Sequence, residues 1–240
     1  MRVLMTTTSG AGHVGPLLPF ARAIAAAGGE VLVAAGGPAA EVADAAALPV
    51  HVLAEAPPER REPHFAAARR DPRGNVHPIV VEHIFAGADL WAALPGVVAL
   101  CRRWRPDVIV HESCEFAAVL AAELCDVPRV RVAIGTAATE QRVLDLATPV
   151  LEARRRELGL ARDPAGALLR DVPSLTLCPP TLDEEVDLDG PPPRRFRLRP
   201  TAPSRGPRGS RRRARPREAG RRRSRGSGSR GPRSTRGATG

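Results

Sequence analysis

Along the first 180 residues, short apolar runs alternate with longer stretches of helical periodicity. Val3, Leu4 and Met5 form a run too short for a helix, and Thr6 to Ser9 after it is first β-branched and then turn-forming, which predicts a buried strand reaching its carboxyl end. Gly10, Gly12 and Gly15 then free the backbone to turn, and Pro16 suits a first helical position. Leu17, Leu18, Ala21, Ile24 and Ala25 recur at three- and four-residue spacing up to Gly28, so this helix lays one face on a sheet. The alternation continues with a strand over Glu30 to Ala35, a helix over Pro38 to Ala47 and a strand over Val50 to Leu53. Ala54 to Pro78 is rich in proline, arginine and histidine without periodicity and predicts a long loop at the carboxyl side of the third strand. Ile79 to Trp104 predicts a helix with apolar positions 80, 84, 88, 91, 94, 98 and 101, kinked or split at Pro95, with Trp91 and Trp104 in the core or a pocket wall. Val108 to His111, ended by Glu112 and Ser113, is a fourth strand, and Phe116 to Leu124 the next helix. A fifth strand over Val130 to Ile134, a helix over Thr139 to Leu158 and a sixth strand over Leu175 to Cys178 complete the pattern. Alternating strands and helices predict an α/β fold with a Rossmann-like, doubly wound parallel sheet, whose ligands bind beyond the carboxyl ends of the strands.

The pattern stops near residue 190, where the composition collapses to Arg, Pro, Gly, Ser and Ala. This predicts a lobe over 1–190 and a disordered basic tail over 191–240. Eighteen of the 36 arginines but only one of the 26 acids lie in the tail, so it carries +17 and the lobe −7, against +10 overall; there is no lysine. The basic balance therefore describes the tail. Clustered arginine attracts phosphate, so nonspecific nucleic-acid binding through the tail is a possible partner interaction, although Phe196 is its one aromatic for stacking on bases. The residues are also those that GC-rich codons yield out of frame, so a frameshift is the other origin considered. The segment before the threonines is too short for a signal peptide, and no apolar run reads as membrane-spanning, so a cytoplasmic protein without a membrane partner is expected.

Two residues beyond strand ends carry the chemistry. His13 follows the first strand and Glu112 the fourth, on the same rim of the sheet, so a carboxylate can hold one imidazole nitrogen while the other takes a proton from a hydroxyl. The plain alternative is that His13 caps the following helix and Glu112 is a solvated strand end. His111 should turn to the other face by strand alternation. Cys101, Cys114, Cys125 and Cys178 form no CxxC pair, and His51, His64, His77 and His83 no HExxH spacing, so no metal site is expected. Cys114, at a helix start, is weighed as a thiol of lowered pKa against a buried inert one. Gly10-Ala11-Gly12-His13-Val14-Gly15 satisfies GxGxxG literally, which would make the protein a dinucleotide-binding oxidoreductase. The second strand, however, ends Ala34-Ala35-Gly36-Gly37 without the acidic residue that takes the ribose hydroxyls.

The stretches RVLMTTTSGAGHVGPLLPFARAIAAAGGEVLVAA and RPDVIVHESCEFAAVLAAELCDVPRV, with LTLCPPTLD further on, resemble the amino-terminal lobe of GT-B family 1 glycosyltransferases, in particular the actinobacterial branch that decorates antibiotics and other natural products. The resemblance covers about residues 1–185. It implies that His13 is the general base on an acceptor hydroxyl, that Glu112 orients it, and that Ser9, Gly10 and Gly12 bind substrate. It implies inverting transfer from a UDP- or dTDP-sugar to a small-molecule natural-product acceptor, with no cofactor and no metal. The family's second lobe, which grips the donor diphosphate, has no counterpart in the sequence. The expectation is a truncated glycosyltransferase, inactive in isolation.

Overall fold

The computed structural model describes residues 1–71, 77–183 and 191–197. The described residues belong to one compact unit within residues 1–199, and most of the predicted tail lies outside the described residues.

In this unit the chain runs through β1 (Arg2–Thr6), α1 (Ala11–Val14), a 3-10 turn (Gly15–Leu17) and α2 (Leu18–Ala26). β2 (Glu30–Ala35), α3 (Gly37–Ala45), β3 (Val50–Val52) and α4 (Pro58–Arg70) follow. A π-helical segment (Val80–Asp89) leads into α5 (Leu90–Trp104), then β4 (Val108–Glu112), α6 (Ala117–Cys125), β5 (Arg129–Ala133) and α7 (Ala137–Glu157). α8 (Ala167–Arg170), β6 (Ser174–Thr176) and β7 (Arg194–Arg195) complete it. The seven strands form one parallel sheet in the order β3-β2-β1-β4-β5-β6-β7.

Strand alternation divides the core between the two faces. Val3 and Met5 of β1, with Val33 of β2 and Val110 of β4, pack under α1 to α3, where Val14, Leu17, Ala21 and Ala39 are buried. Leu4 and Ile109 point the other way, onto Ile84, Leu90, Leu94 and Val97 of the π-helix and α5 and onto the alanine-rich α6. Helices on both faces explain why β1, β2 and β4 read as short, largely apolar runs. The strand order reverses between β1 and β4, where Thr6 is level with His111. That pair of carboxyl ends is the switch point at which doubly wound sheets place their ligands.

Four expectations need correction. The helix after β1 begins at Ala11, so His13 lies in a helical turn, and Pro16 falls in the 3-10 turn within the helical run. Gly10, Gly12 and Gly15 are absent from the glycines of positive φ, so no left-handed turn is built there. The loop predicted over 54–78 contains α4, a helix of 13 residues with none buried; it lacks an apolar stripe because it rests on the lobe through polar contacts. Pro95 lies inside an unbroken α5, and the irregularity falls upstream in the π-helix, where a β-carbon on Gly87 would meet the Glu82 carbonyl oxygen at 3.1 Å.

Three more differences bear on the whole chain. Val80–Trp104 has the length and hydropathy to cross a membrane, contrary to the reading of the sequence, but Val81, Ile84, Leu90, Leu94, Val97 and Leu100 are buried against the sheet and α6, which accounts for its composition. Trp91 is 36% exposed, with the Arg154 guanidinium 5.6 Å over its ring, whereas Trp104 is half-buried against the core. Arg194–Arg195, assigned by composition to the tail, extends the sheet beside β6, and Phe196 meets Phe20 edge to face at 5.4 Å.

Candidate active site

β1 and β4 carry their last residues to the same level, and the first turn of α1 passes over both. Glu112, the final residue of β4, is fully buried. Burying a carboxylate is costly unless hydrogen bonds replace water, and here they do. Oε1 accepts from the Thr8 N–H at 3.2 Å and Oε2 from the Cys114 N–H at 2.7 Å. His13 Nδ1 is 3.1 Å from Oε1. That distance makes the contact an ion pair when the imidazole is protonated, at hydrogen-bond separation.

The imidazole is held on its other sides as well. Its ring packs edge to face on Phe85 at 5.3 Å, and a β-carbon on Gly10 would sit 2.9 Å from His13 Cδ2. Gly10 is therefore needed for the close approach of this ring. Burial is the largest influence on the His13 pKa and lowers it, but Glu112, through hydrogen bonding and charge, and then Asp89 more than offset it, so the pKa lies above 6.5. With Nδ1 directed at Glu112, Nε2 is the nitrogen left to exchange a proton. The His13 side chain is 23% exposed, enough for a substrate to reach it.

A cleft open to solvent lies beside this pair. Thr7, Thr8 and Ser9 of the turn form one wall, Leu53 to Glu55 another, and Phe85, Asp89, Leu90 and Phe116 the remainder. Ser9 thus lines the cavity, and its hydroxyl accepts from Arg61 at 3.1 Å. Gly10 lies under the His13 ring, and Gly12 is exposed on α1 away from the cavity walls. His111 is buried on the opposite side of β4, its Nδ1 3.0 Å from the Glu112 carbonyl, and burial beside Arg129 drives its pKa well down. Sequence reasoning did not find Arg61, Phe85, Asp89 or Glu115. Glu115 alone carried a local signal, three residues past Glu112; it caps α6 by accepting from the Ala117 and Ala118 N–H groups, and burial pushes its carboxyl up to about 7.

Among the described residues, His13, Glu112 and Cys114 bring possible ligand atoms within 4.8 Å of one another. They fit a metal poorly. Both Glu112 oxygens are occupied by backbone N–H groups, and burial, reinforced by Glu112 and Glu140, holds the Cys114 thiol pKa well up, whereas metals bind thiolate. The same shift removes Cys114 as an activated nucleophile.

A seven-stranded parallel sheet with helices on both faces and a histidine–carboxylate pair at its switch point is the amino-terminal lobe of a GT-B glycosyltransferase. Residues 83–186 match the model of the erythromycin biosynthesis protein CIII-like N-terminal domain, and over this lobe the chain is similar to actinobacterial glycosyltransferases. It is 33% identical over 184 residues to the L-demethylnoviosyl transferase of Streptomyces niveus, covering 76% of this chain and 46% of that protein. Among solved structures it is similar to the glycosyltransferase SnogD of Streptomyces nogalater, with 26% identity, a TM-score of 0.59, and coverage of 75% of this chain and 46% of that one. It is likewise similar to SsfS6 of Streptomyces sp. SF2575, solved with thymidine diphosphate, with 27% identity, a TM-score of 0.58, and coverage of 76% and 51%. The chain spans about half the length of the curated relatives it matches.

Proposed function

We propose that this lobe binds the acceptor of an inverting glycosyl transfer and supplies its base. His13 Nε2 takes the proton of an acceptor hydroxyl as that oxygen attacks the anomeric carbon of a nucleotide sugar. The new bond forms on the face opposite the leaving group, the bond from carbon to phosphate oxygen breaks, and the nucleoside diphosphate departs with the electron pair. Glu112 holds Nδ1 and stabilises the imidazolium that results, as general-base catalysis requires. The observation that carries this reading is the fully buried Glu112 carboxylate 3.1 Å from His13, across the β1/β4 switch point and beside a cavity.

The acceptor is a small molecule that enters this open cleft, in keeping with relatives named as glycosyltransferases of antibiotic producers. A UDP- or dTDP-sugar is the proposed donor, dTDP having support from the thymidine diphosphate bound to SsfS6. The described residues form the acceptor side alone, so a second lobe has to grip the donor diphosphate, and the isolated chain is read as inactive. The dinucleotide alternative finds no support, because the His13 ring crowds the Gly10 backbone and α1 leaves no open glycine turn for a pyrophosphate.

The test fuses residues 1–197 to the donor lobe of a solved relative and supplies dTDP- and UDP-sugars with phenolic and macrolide hydroxyls. The account expects a glycoside of inverted anomeric configuration from the fusion and none from the unfused chain. A retained configuration, or turnover by the unfused chain well above a His13→Ala control, overturns it.

A further inference from the structure

Beyond the His13–Glu112 pair, the cleft carries a charged cluster of its own. Asp89, the last residue of the π-helix, and Glu55, beyond β3, both line the cavity. Arg61 of α4 reaches in between them, its Nε 3.3 Å from Asp89 Oδ1 and its NH1 3.6 Å from Glu55 Oε1, while its NH2 donates to the Ser9 hydroxyl. One guanidinium thus faces two carboxylates. It is committed to three partners, and its guanidinium carbon lies 5.6 Å over the Phe65 ring centre. Asp89 Oδ2 is buried without any protein partner. Such an atom in a binding cavity is an acceptor awaiting a donor. Around it the walls are apolar, with Leu53, Phe85, Leu90, Ala93 and Phe116.

We propose that Asp89, steadied by Arg61, is a specificity residue that reads a second hydrogen-bond donor on the acceptor, a hydroxyl or an ammonium, on the side of an apolar body away from the hydroxyl that His13 deprotonates. The inference rests on the acceptor reading above and names the polar feature that reading leaves open. Phe85 joins the two ends: it packs on His13 and is four residues before Asp89 on the same cavity wall. A flat apolar body against Phe85 therefore has the base near one edge and the carboxylate near another. Burial raises the Asp89 carboxyl to about 6, with Arg61 opposing, so at neutral pH it is mainly a carboxylate and accepts rather than donates. Selectivity arises because a buried polar atom left unpaired penalises the analogue that lacks the matching group.

Calorimetry on the full chain at pH 7.5 tests this with 1-naphthol, 1,5-dihydroxynaphthalene and 5-(aminomethyl)-1-naphthol. The wild type is expected to bind the diol about 5-fold more tightly than 1-naphthol, and the ammonium compound more tightly by about 10-fold or more, the ranges for neutral and charge-assisted hydrogen bonds. Asp89→Ala should erase both preferences, while Asp89→Asn should keep the one for the diol and lose most of the one for the ammonium. Circular dichroism confirms that each variant is folded, and Asp89→Asn decides should the alanine variant not fold. Equal preferences in wild type and variants overturn the inference alone. Failure of all three probes to bind overturns it together with the acceptor reading.

Discussion

Replacing Glu112 tests the junction between fold and chemistry, because the same carboxylate ties two backbone groups and holds the imidazole. In Glu112→Ala, the buried Thr8 and Cys114 N–H groups lose the oxygens they reach at 3.2 and 2.7 Å. Stranding a buried donor costs about 1–3 kcal/mol, so the loss should be about 2–6 kcal/mol, a large part of the roughly 5–15 kcal/mol that holds a domain together. Glu112→Gln keeps one oxygen and should cost about 1–3 kcal/mol for the donor left facing the amide. Urea melts read both as a lower midpoint at unchanged slope. The gap between wild type and the glutamine variant should also depend on pH. His13 has its pKa raised in the folded state, so its pairing with Glu112 contributes fully below the unfolded value of about 6.5 and is lost as pH rises through the folded pKa. The gap should accordingly be larger near pH 6 than near pH 9. In parallel, NMR titration should find the His13 pKa lower in Glu112→Gln, because burial, the largest influence, lowers it and is no longer offset by Glu112. A His13 ring that titrates alike in both proteins, with a gap insensitive to pH, would refute the pairing.

Other expected outcomes follow from single contacts. Gly10→Ala puts a β-carbon 2.9 Å from His13 Cδ2, so the ring must swing, and its NMR titration should shift without a comparable loss of melting temperature. NAD and FAD should give no saturable heat with residues 1–197, and micromolar binding of either would restore the dinucleotide reading. Binding of nucleic acid to the full chain, if any, should fall steeply with salt and show no sequence preference, since each neutralised phosphate releases a counterion. Removal of residues 198–240 should abolish it, whereas a cut at 191 would also delete β7 and the Phe196 contact with Phe20.

The features legible in the sequence were those with a local physical signature. β1, β2 and β4 show as short apolar runs because the sheet is covered on both faces, and His13, in the turn after β1, and Glu112, at the end of β4, stand out as polar residues there. α4 had no such signature: it buries no residue, and it is held by Arg61 and by the stacked rings of His64 and His83, 4.7 Å apart. The π-helix was unreadable because its register is set by packing. Of the expected stripe, 84, 94 and 101 are buried, whereas 80, 88, 91 and 98 give way to buried Val81, Gly87, Leu90 and Val97. Asp89 became a candidate only when that segment was seen to carry it into the cavity beside Arg61. β7 was hidden because two arginines in an arginine-rich context look like tail, and only the pairing with β6 marks them as strand.

The central claim, that His13 is the base for an acceptor hydroxyl, is tested most directly by kcat/KM of the two-lobe fusion and its His13→Ala variant with one phenolic acceptor and one nucleotide sugar. General-base catalysis by a positioned side chain contributes about 10²- to 10⁴-fold, so the variant should lose at least the lower of these while its KM for the donor stays constant. A fusion that turns over equally well without the His13 imidazole would contradict the account.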